Sequence, residues 1–150
     1  MKEILVDSSV YVSSFFLSER YCNESKDFFR CIFQEQYRLA LPISALFEII
    51  HACFRRSGNL DIEQSVLGHL LQLSQRQLLR VIPLEAEFSA HYFASHAHYD
   101  LKTADSIIAV MAEAEEVPLI SWDTQLNRTA SKKIHAYTPT QFLALHGKKA

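Results

Sequence analysis

Short apolar runs alternate along the chain with longer stretches in which apolar residues recur at helical spacing. The runs at 3–6, 39–41, 79–82 and 118–121 are typical of buried strands, and a shorter fifth strand is predicted at 134–136. Helices are predicted from residue 8 onward, at 21–36, from 42 to about 58, and at 61–77, 84–98, 103–116, 124–130 and 140–146. This alternation favours an open, mostly parallel sheet with helices on both faces.

Two of the predicted helices also carry signals for where they begin or end. Ser8 and Ser9 are predicted to supply the N-cap hydroxyl of the first helix. Pro42 and Ser44 suit the start of a later helix, and Gly58 suits its end.

Four acidic residues stand inside or beside these apolar runs. Asp7 and Asp123 each follow a predicted strand, Glu48 interrupts an apolar helix, and Asp105 lies in the first turn of another helix. An ionised carboxylate is costly to bury unless it is paired or binds a metal. Functional sites in open α/β sheets form beyond the carboxyl ends of the strands. We therefore expect the four acids to meet at that edge, although no rule of topology places Glu48.

A cluster of four carboxylates predicts a divalent cation. Like charges at close range raise at least one pKa, and a cation removes this conflict. Ligands that are all oxygen favour Mg²⁺ or Mn²⁺ over zinc. Such an ion can turn a bound water into the nucleophile that attacks a phosphodiester. The sequence therefore predicts a metal-dependent phosphodiester enzyme with one or two ions.

Each acid also has a simpler interpretation. Asp7 and Asp123 can cap the helices that follow them. Asp105 can interact with a helix dipole, and Glu48 can be a solvated surface residue. All four simpler interpretations would have to hold together for residues that share one edge of the sheet. We therefore expect a metal site instead.

Composition narrows the class of protein further. The 150 residues fit a single domain, 1–150, and the net charge of −2 gives no sign of a dedicated nucleic-acid binder. No apolar run reaches transmembrane length, and the N-terminus lacks a signal-peptide layout. Three cysteines without C-x-x-C spacing indicate reduced thiols in a cytoplasmic protein. Residues 147–150 are predicted to be frayed.

Four segments resemble the motifs of the PIN-domain family, and within it those of the small VapC-type toxins of bacterial toxin–antitoxin pairs. They are ILVDSS at 4–9, LFEI at 46–49, LKTADSIIA at 101–109 and LISWD at 119–123. Their order and spacing extend the resemblance over nearly the whole chain. The resemblance implies a PIN-like three-layer α/β/α fold with a central, mostly parallel sheet of four to five strands.

The resemblance also implies a function. The chain would be a Mg²⁺- or Mn²⁺-dependent endoribonuclease that leaves a 3′-hydroxyl and a 5′-phosphate, with a cognate antitoxin and a homodimeric state. Ser9 and Ser121 would orient carboxylates or water. The catalytic and metal-binding acids would be Asp7, Glu48, Asp105 and Asp123.

Several residues near these motifs are candidate RNA contacts. Arg55 and Arg56 follow the Glu48 helix, and Lys102 stands near Asp105, although solvated surface positions are the usual role of such residues. Trp122 is bulky beside Asp123 and is predicted to narrow the site or stack on a base. Val117 stands where the family often has glycine, which indicates a loop difference.

Other residues are assigned to structure or to partners. The spacing of His91, His96 and His98 fits no common zinc motif, so surface or helix-end roles are expected. A group of aromatic residues exceeds one helical stripe and predicts a core with an exposed part for a partner peptide or a dimer face. The group contains Tyr11, Phe15, Phe16, Tyr21, Phe28 and Phe29.

Three other functions remain open at this point. One is a PIN-domain nuclease that is not a toxin, and another is a non-catalytic interaction module with the same fold. The third is a phosphoacceptor signalling domain, which is disfavoured because Ser8 follows Asp7 and no lysine follows a late strand. The RNA target and the oligomeric state are not determined by the sequence.

Overall fold

The centre of the protein is a sheet of five parallel strands with the order β3-β2-β1-β4-β5. The computed structural model describes residues 1–146, so the predicted frayed end at 147–150 lies outside the described residues. The strands are β1 (Glu3–Val6), β2 (Arg38–Pro42), β3 (Leu79–Ile82), β4 (Leu119–Ile120) and β5 (Ala136–Tyr137). The predicted parallel sheet is confirmed, although β5 begins two residues later than expected.

Eight helices in the described part of the chain cover the sheet and complete the predicted three-layer architecture. They are α1 (Ser8–Phe15), α2 (Cys22–Gln34), α3 (Ile43–Ser57), α4 (Leu60–Gln75), α5 (Ala86–Ser95), α6 (Thr103–Ala114), α7 (Thr124–Ala130) and α8 (Pro139–His146). A short 3-10 turn, His96–His98, follows α5, where the sequence predicted one continuous helix. No helix within residues 1–146 has the length and hydropathy needed to cross a bilayer.

The middle strand β1 is deeply buried in the sheet. Ile4, Leu5 and Val6 have no exposed surface, because β2 and β4 flank the strand and helices cover both faces. Leu5 pairs with Ala40 on one side and with Leu119 on the other. The ends of β1 and β4 are therefore held in register, which brings the residues that follow them together.

The amino-terminal edge of the sheet carries a network of ion pairs. Glu3, the first residue of β1, accepts hydrogen bonds from Arg38 at 2.8 Å and from Arg80 at 2.7 Å. Arg80 also binds Glu115, which follows α6. Burial alone would raise the pKa of Glu3, but the hydrogen bonds and charges of the two arginines lower it.

Helix α3, which carries Glu48, has the predicted boundaries. Gly58 terminates it in the left-handed conformation, with φ of 61°, and its N–H donates to the carbonyl of Phe54. Ala45, Ile49 and Cys53 are fully buried and share one face of the helix. Glu48 lies next to this face and is half-buried.

Candidate active site

Asp7 lies at the carboxyl end of β1, where the sheet gives way to α1. Its N–H donates to the carbonyl of Ile120 at 2.9 Å, which fixes it against the end of β4. Its side chain is only 5% exposed. A carboxylate at this depth must be satisfied by hydrogen-bond donors or by a cation.

Hydroxyl groups surround the Asp7 carboxylate. Its Oδ2 accepts from the hydroxyls of Ser9 at 2.6 Å and Ser121 at 2.7 Å, and its Oδ1 accepts from Ser8 at 3.3 Å. The Ser9 and Ser121 hydroxyl oxygens lie 3.3 Å apart. The two serines predicted as auxiliary polar groups thus come from opposite ends of the chain and fix the orientation of one carboxylate.

Two of the acids do cap helices, as the simpler interpretation proposed. Asp7 is the N-cap of α1 and accepts from the Ser9 N–H at 3.4 Å, so the prediction that Ser8 or Ser9 caps this helix is wrong. Asp123 caps α7 by accepting from the Leu126 N–H at 2.9 Å. This cap uses Oδ1 of an exposed residue, so capping does not prevent Asp123 from binding a ligand.

Glu48 reaches the same edge from α3. Burial raises its pKa, a hydrogen bond with Ser8 acts in the opposite direction, and the negative charges of Asp7 and Asp105 raise the pKa further. The solvated interpretation of Glu48 therefore fails, because the carboxylate is half-buried and interacts with two other acids.

Asp105 lies in the first turn of α6 and is also half-buried. Burial raises its pKa, and the charges of Asp123 and Asp7 raise it further, whereas Lys102 acts in the opposite direction. The charge of Asp105 in turn raises the pKa of Glu48, so Asp105 interacts with Asp7, Asp123 and Glu48. The structure brings all four predicted acids to one edge of the sheet.

The four acids are neighbours, but their oxygens do not converge. Within residues 1–146 no three His, Cys, Asp or Glu side chains already stand in a geometry that could hold a metal ion. Both observations agree with mutual repulsion, which keeps carboxylates apart while their charges still interact. His91, His96 and His98 are not part of the edge, and His96 Nδ1 contacts the carbonyl of Tyr92 at 2.9 Å.

The basic residues predicted to contact RNA lie in different environments. Lys102 precedes α6, is exposed and interacts with Asp105. Arg56 is paired with Glu19 at 2.7 Å. Arg55 is exposed and forms no ion pair within the described part of the chain.

Trp122 lies between Ser121 and Asp123 and is held from several sides. Its backbone N–H donates to the Ser9 hydroxyl at 3.2 Å, and its indole N–H donates to the Ser25 hydroxyl at 2.8 Å. Its ring stacks on Tyr21, with 4.1 Å between the centroids. No sequence pattern predicts these roles of Tyr21 and Ser25, and a serine on the buried face of α2 is the one available signal.

The predicted aromatic group divides between core and surface. Tyr11 and Phe28 are buried, whereas Phe15 and Phe29 line a groove of about 230 Å³ between α1, α2 and α4. Burial raises the pKa of Tyr11, whose hydroxyl has no hydrogen-bond partner within residues 1–146. The other lining residues are Tyr11, Ser14, Lys26, Phe33, His69, Leu70 and Leu73.

Comparisons with known proteins agree with this architecture. The family model of the PIN domain matches residues 4–132. The curated protein sequences contain no significant match to this chain.

Three solved structures illustrate the likeness in fold. VapBC2 from Rickettsia felis, bound to a DNA fragment from its promoter, has a TM-score of 0.69 at 16% identity, covering 91% of this chain and 98% of that one. VapC20 from Mycobacterium tuberculosis, a toxin that cleaves the sarcin–ricin loop, has a TM-score of 0.67 at 13% identity over 83% and 93%. A toxin–antitoxin complex from Klebsiella pneumoniae has a TM-score of 0.66 at 20% identity over 91% and 97%. At these identities the likeness shows the fold.

Proposed function

Because this chain belongs to the PIN domain family, we propose that it is a Mg²⁺- or Mn²⁺-dependent endoribonuclease and the toxin of a type II toxin–antitoxin pair. The observation that carries the proposal is the interaction among Asp7, Glu48, Asp105 and Asp123 at one edge of the sheet. None of these acids forms an ion pair with a basic side chain in the described residues. Carboxylates that interact with one another and lack a basic partner are stabilised by a cation from outside the chain.

The residues present fit a hard divalent cation. The carboxylates of Asp7, Glu48, Asp105 and Asp123 supply only oxygen, which Mg²⁺ and Mn²⁺ prefer. We propose these four acids as the metal ligands. When bound, the ion would offset their charge and activate a water molecule for attack on a phosphodiester.

The chain's own groups have separate roles in this proposal. Ser9 and Ser121 hold Asp7 in one orientation, which reduces the cost of forming the site. Glu48 and Asp105 have raised pKa values because burial and the neighbouring carboxylates disfavour their charged forms, which is the conflict that a bound cation would remove.

Cleavage of a mixed RNA pool tests the proposal. The purified protein should cut RNA with Mg²⁺ or Mn²⁺ and leave 5′-phosphate ends, whereas Asp7→Asn should not cut. Asp27→Asn is the matched control, because Asp27 is exposed on α2 and paired only with Arg30. Retained cutting by both Asp7→Asn and Asp105→Asn would refute the catalytic assignment. No cutting and no binding of a divalent ion would favour a non-catalytic interaction module.

Exposed basic groups near the edge are proposed as contacts for the RNA backbone. Lys102 is the first candidate because it interacts with Asp105, and Arg55 is exposed at the end of α3. Arg56 would have to leave Glu19 to reach a phosphate. Lys102→Gln should therefore weaken RNA binding and its dependence on salt more than Arg56→Gln does.

The groove between α1, α2 and α4 is the proposed docking site for an antitoxin. VapBC2 and the Klebsiella complex were solved as toxin–antitoxin assemblies. The groove is lined by apolar side chains with Lys26 and His69 among them, which suits an apolar peptide segment with an acidic residue. Co-expression with the neighbouring reading frame should relieve growth arrest by the parent protein, and Lys26→Glu, at an exposed position of the groove, should weaken complex formation.

A homodimer in the cytoplasm completes the proposal. Phe47 and Phe54 stand seven residues apart on α3, where they are 61% and 39% exposed, so they form one apolar face. We propose that this face is part of a contact between two copies. Sedimentation of the parent should give the mass of a dimer, and Phe54→Asp should give a monomer.

A further inference from the structure

Two aromatic rings lie face to face beside the acids. The Tyr21 and Trp122 centroids are 4.1 Å apart and the ring planes differ by 13°. Both residues are partly exposed. The Arg20 guanidinium lies 5.1 Å from the Tyr21 centroid, so Tyr21 stands between a cation and the indole. Within the stack, Trp122 is the ring that is next to Ser121 and Asp123 in the chain.

Hydrogen bonds prevent the indole from turning. Its N–H donates to Ser25, which is fully buried and lies 2.6 Å from the Ser13 hydroxyl. The Ser13 hydroxyl in turn donates to the carbonyl of Val10 at 3.0 Å. At the other end of the residue, the backbone N–H of Trp122 binds the same Ser9 hydroxyl that holds Asp7. The ring is thus fixed relative to the acidic edge.

This ring pair differs from the aromatic packing of the core. The buried pairs Phe28–Phe142 and Tyr37–Phe142 meet edge to face, at 75° and 78°. Interiors commonly favour such tilted contacts. Parallel pairs also occur elsewhere outside the core, as Tyr92–His96 at 12° and His135–Tyr137 at 4°, so the Tyr21–Trp122 pair is distinguished by its fixed indole next to Asp123. Nucleobases stack on flat, rigid aromatic rings of this kind.

We propose that the Tyr21–Trp122 pair is a stacking platform for one nucleobase next to the bond that is cut. The inference rests on the proposed nuclease function and narrows its substrate to single-stranded RNA with an unstacked base at that position. Stacking accepts every base but gains most from a large ring system, so purines are favoured. Because the indole is already fixed, little side-chain entropy is lost when a base binds.

Cleavage kinetics on matched substrates test the platform. An oligonucleotide that the parent cuts is compared with versions in which each nucleotide flanking the cut is replaced by an abasic ribose. One abasic position should raise KM about tenfold in the parent, as loss of one stacked base predicts, and should have little further effect in Trp122→Leu. An equal abasic penalty in Trp122→Leu, or none in the parent, would overturn the platform. Phe93→Leu, which removes an exposed ring on α5, should keep the parental penalty.

A binding measurement separates the platform from catalysis. Trp122 is the single tryptophan of the chain, so intrinsic fluorescence reports on this ring alone. In chelator, hexaadenylate should quench the emission to saturation, whereas an abasic chain with the same number of phosphates should not. Quenching without cleavage at any metal concentration would refute the nuclease and keep the platform. If the protein cleaves RNA but hexaadenylate and the abasic chain quench equally, or neither quenches, the platform is refuted and the nuclease proposal stands.

Discussion

The two edges of the central sheet both hold partly buried acids, but the acids have opposite partners. At the amino edge, Glu3 is bound by Arg38 and Arg80, and its pKa is lowered. At the carboxyl edge, Glu48 and Asp105 face other carboxylates, and their pKa values are raised. The chain binds the acid of the first edge with its own arginines, whereas at the second edge Lys102 acts on Asp105 only through its charge and no ion pair forms within the described residues.

This difference separates an acid with a structural role from one with a proposed functional role. Burial alone does not distinguish the structural acid from the functional one, because Glu3 and Asp105 are both partly shielded from water. The sign of the neighbouring charges does distinguish them. Where arginines surround an acid, it stabilises the fold, and where acids surround it, the fold is destabilised until a cation binds.

Neutralising one acid at each edge should affect cleavage very differently. We expect Asp105→Asn to reduce RNA cleavage by about a thousandfold or more, which corresponds to roughly 4 kcal/mol of transition-state stabilisation. Glu3→Gln is the matched variant at the other edge and should retain cleavage. Single-turnover rates with Mg²⁺ or Mn²⁺ measure both, and equal losses would remove the distinction between the edges.

Divalent ions should stabilise the protein through the carboxyl edge only. At an Mg²⁺ concentration about 100 times the Kd, mass action predicts a gain of about 2.7 kcal/mol over the protein in chelator. Thermal unfolding with and without the ion should show this gain in the parent and in Glu3→Gln. It should be reduced in Asp105→Asn; a full gain there would mean that Asp105 is not a ligand.

Removing Arg80, one of the two arginines that bind Glu3 at the amino edge, should destabilise the fold. Arg80→Met leaves Glu3 with Arg38 alone and removes the ion pair of Glu115. Because Arg80 is one-third exposed, we expect a loss of only about 1–2 kcal/mol in urea unfolding. Arg30→Met, which breaks the exposed pair with Asp27, should cost less than about 0.5 kcal/mol.

Removing a carboxylate charge at the carboxyl edge should instead increase the stability of the fold. In chelator, Asp105→Asn relieves repulsion with Asp7 and Asp123, so its melting temperature should exceed that of the parent. The expected rise is about 2–4 °C, which is what ~1 kcal/mol gives in a domain of this size. An unchanged or lower melting temperature would contradict the clustering of the acids.

The smallest expected effect is in the pH dependence of stability. Glu48 and Asp105 have raised pKa values, so the folded protein binds more protons than the unfolded chain, and stability falls as pH rises through the folded pKa values. Glu3 has a lowered pKa, so its contribution is lost as pH falls through that value. Urea unfolding in chelator over about pH 3–7 should show a flatter decline at the upper end for Asp105→Asn. Glu3→Gln should instead flatten the loss at the acid end.

The sequence predicted the fold well because apolar runs and their spacing act locally. Gly58 ends α3 as expected, and four of the five strands fall where leucine, isoleucine and valine cluster. The exception is β5, whose two residues are only partly buried and therefore give a weak pattern. The placement of Asp7 and Asp123 was also predictable, since both follow the carboxyl ends of parallel strands, whereas Glu48 lies inside a helix and no such rule places it.

The partners of the site residues were harder to predict because they come from distant segments. Trp122 is fixed by Tyr21 and Ser25, about a hundred residues earlier in the chain, and no local pattern links these positions. The pairing of Arg56 with Glu19 was missed for the same reason. Asp7 replaced the serines as the cap of α1 because its carboxylate already faces the first N–H groups of the helix.

The hydrogen bond between Ser121 and Asp7 joins residues that are 114 positions apart, and it has a consequence for protein synthesis. A nascent chain exposes Asp7 and Glu48 well before β4 has left the ribosome. Until then β1 lacks one of its two neighbours, and Asp7 lacks a hydroxyl that orients it. Contacts of such long range form late in folding. A nuclease of the proposed kind would therefore have an incomplete site until β4 has emerged and paired with β1.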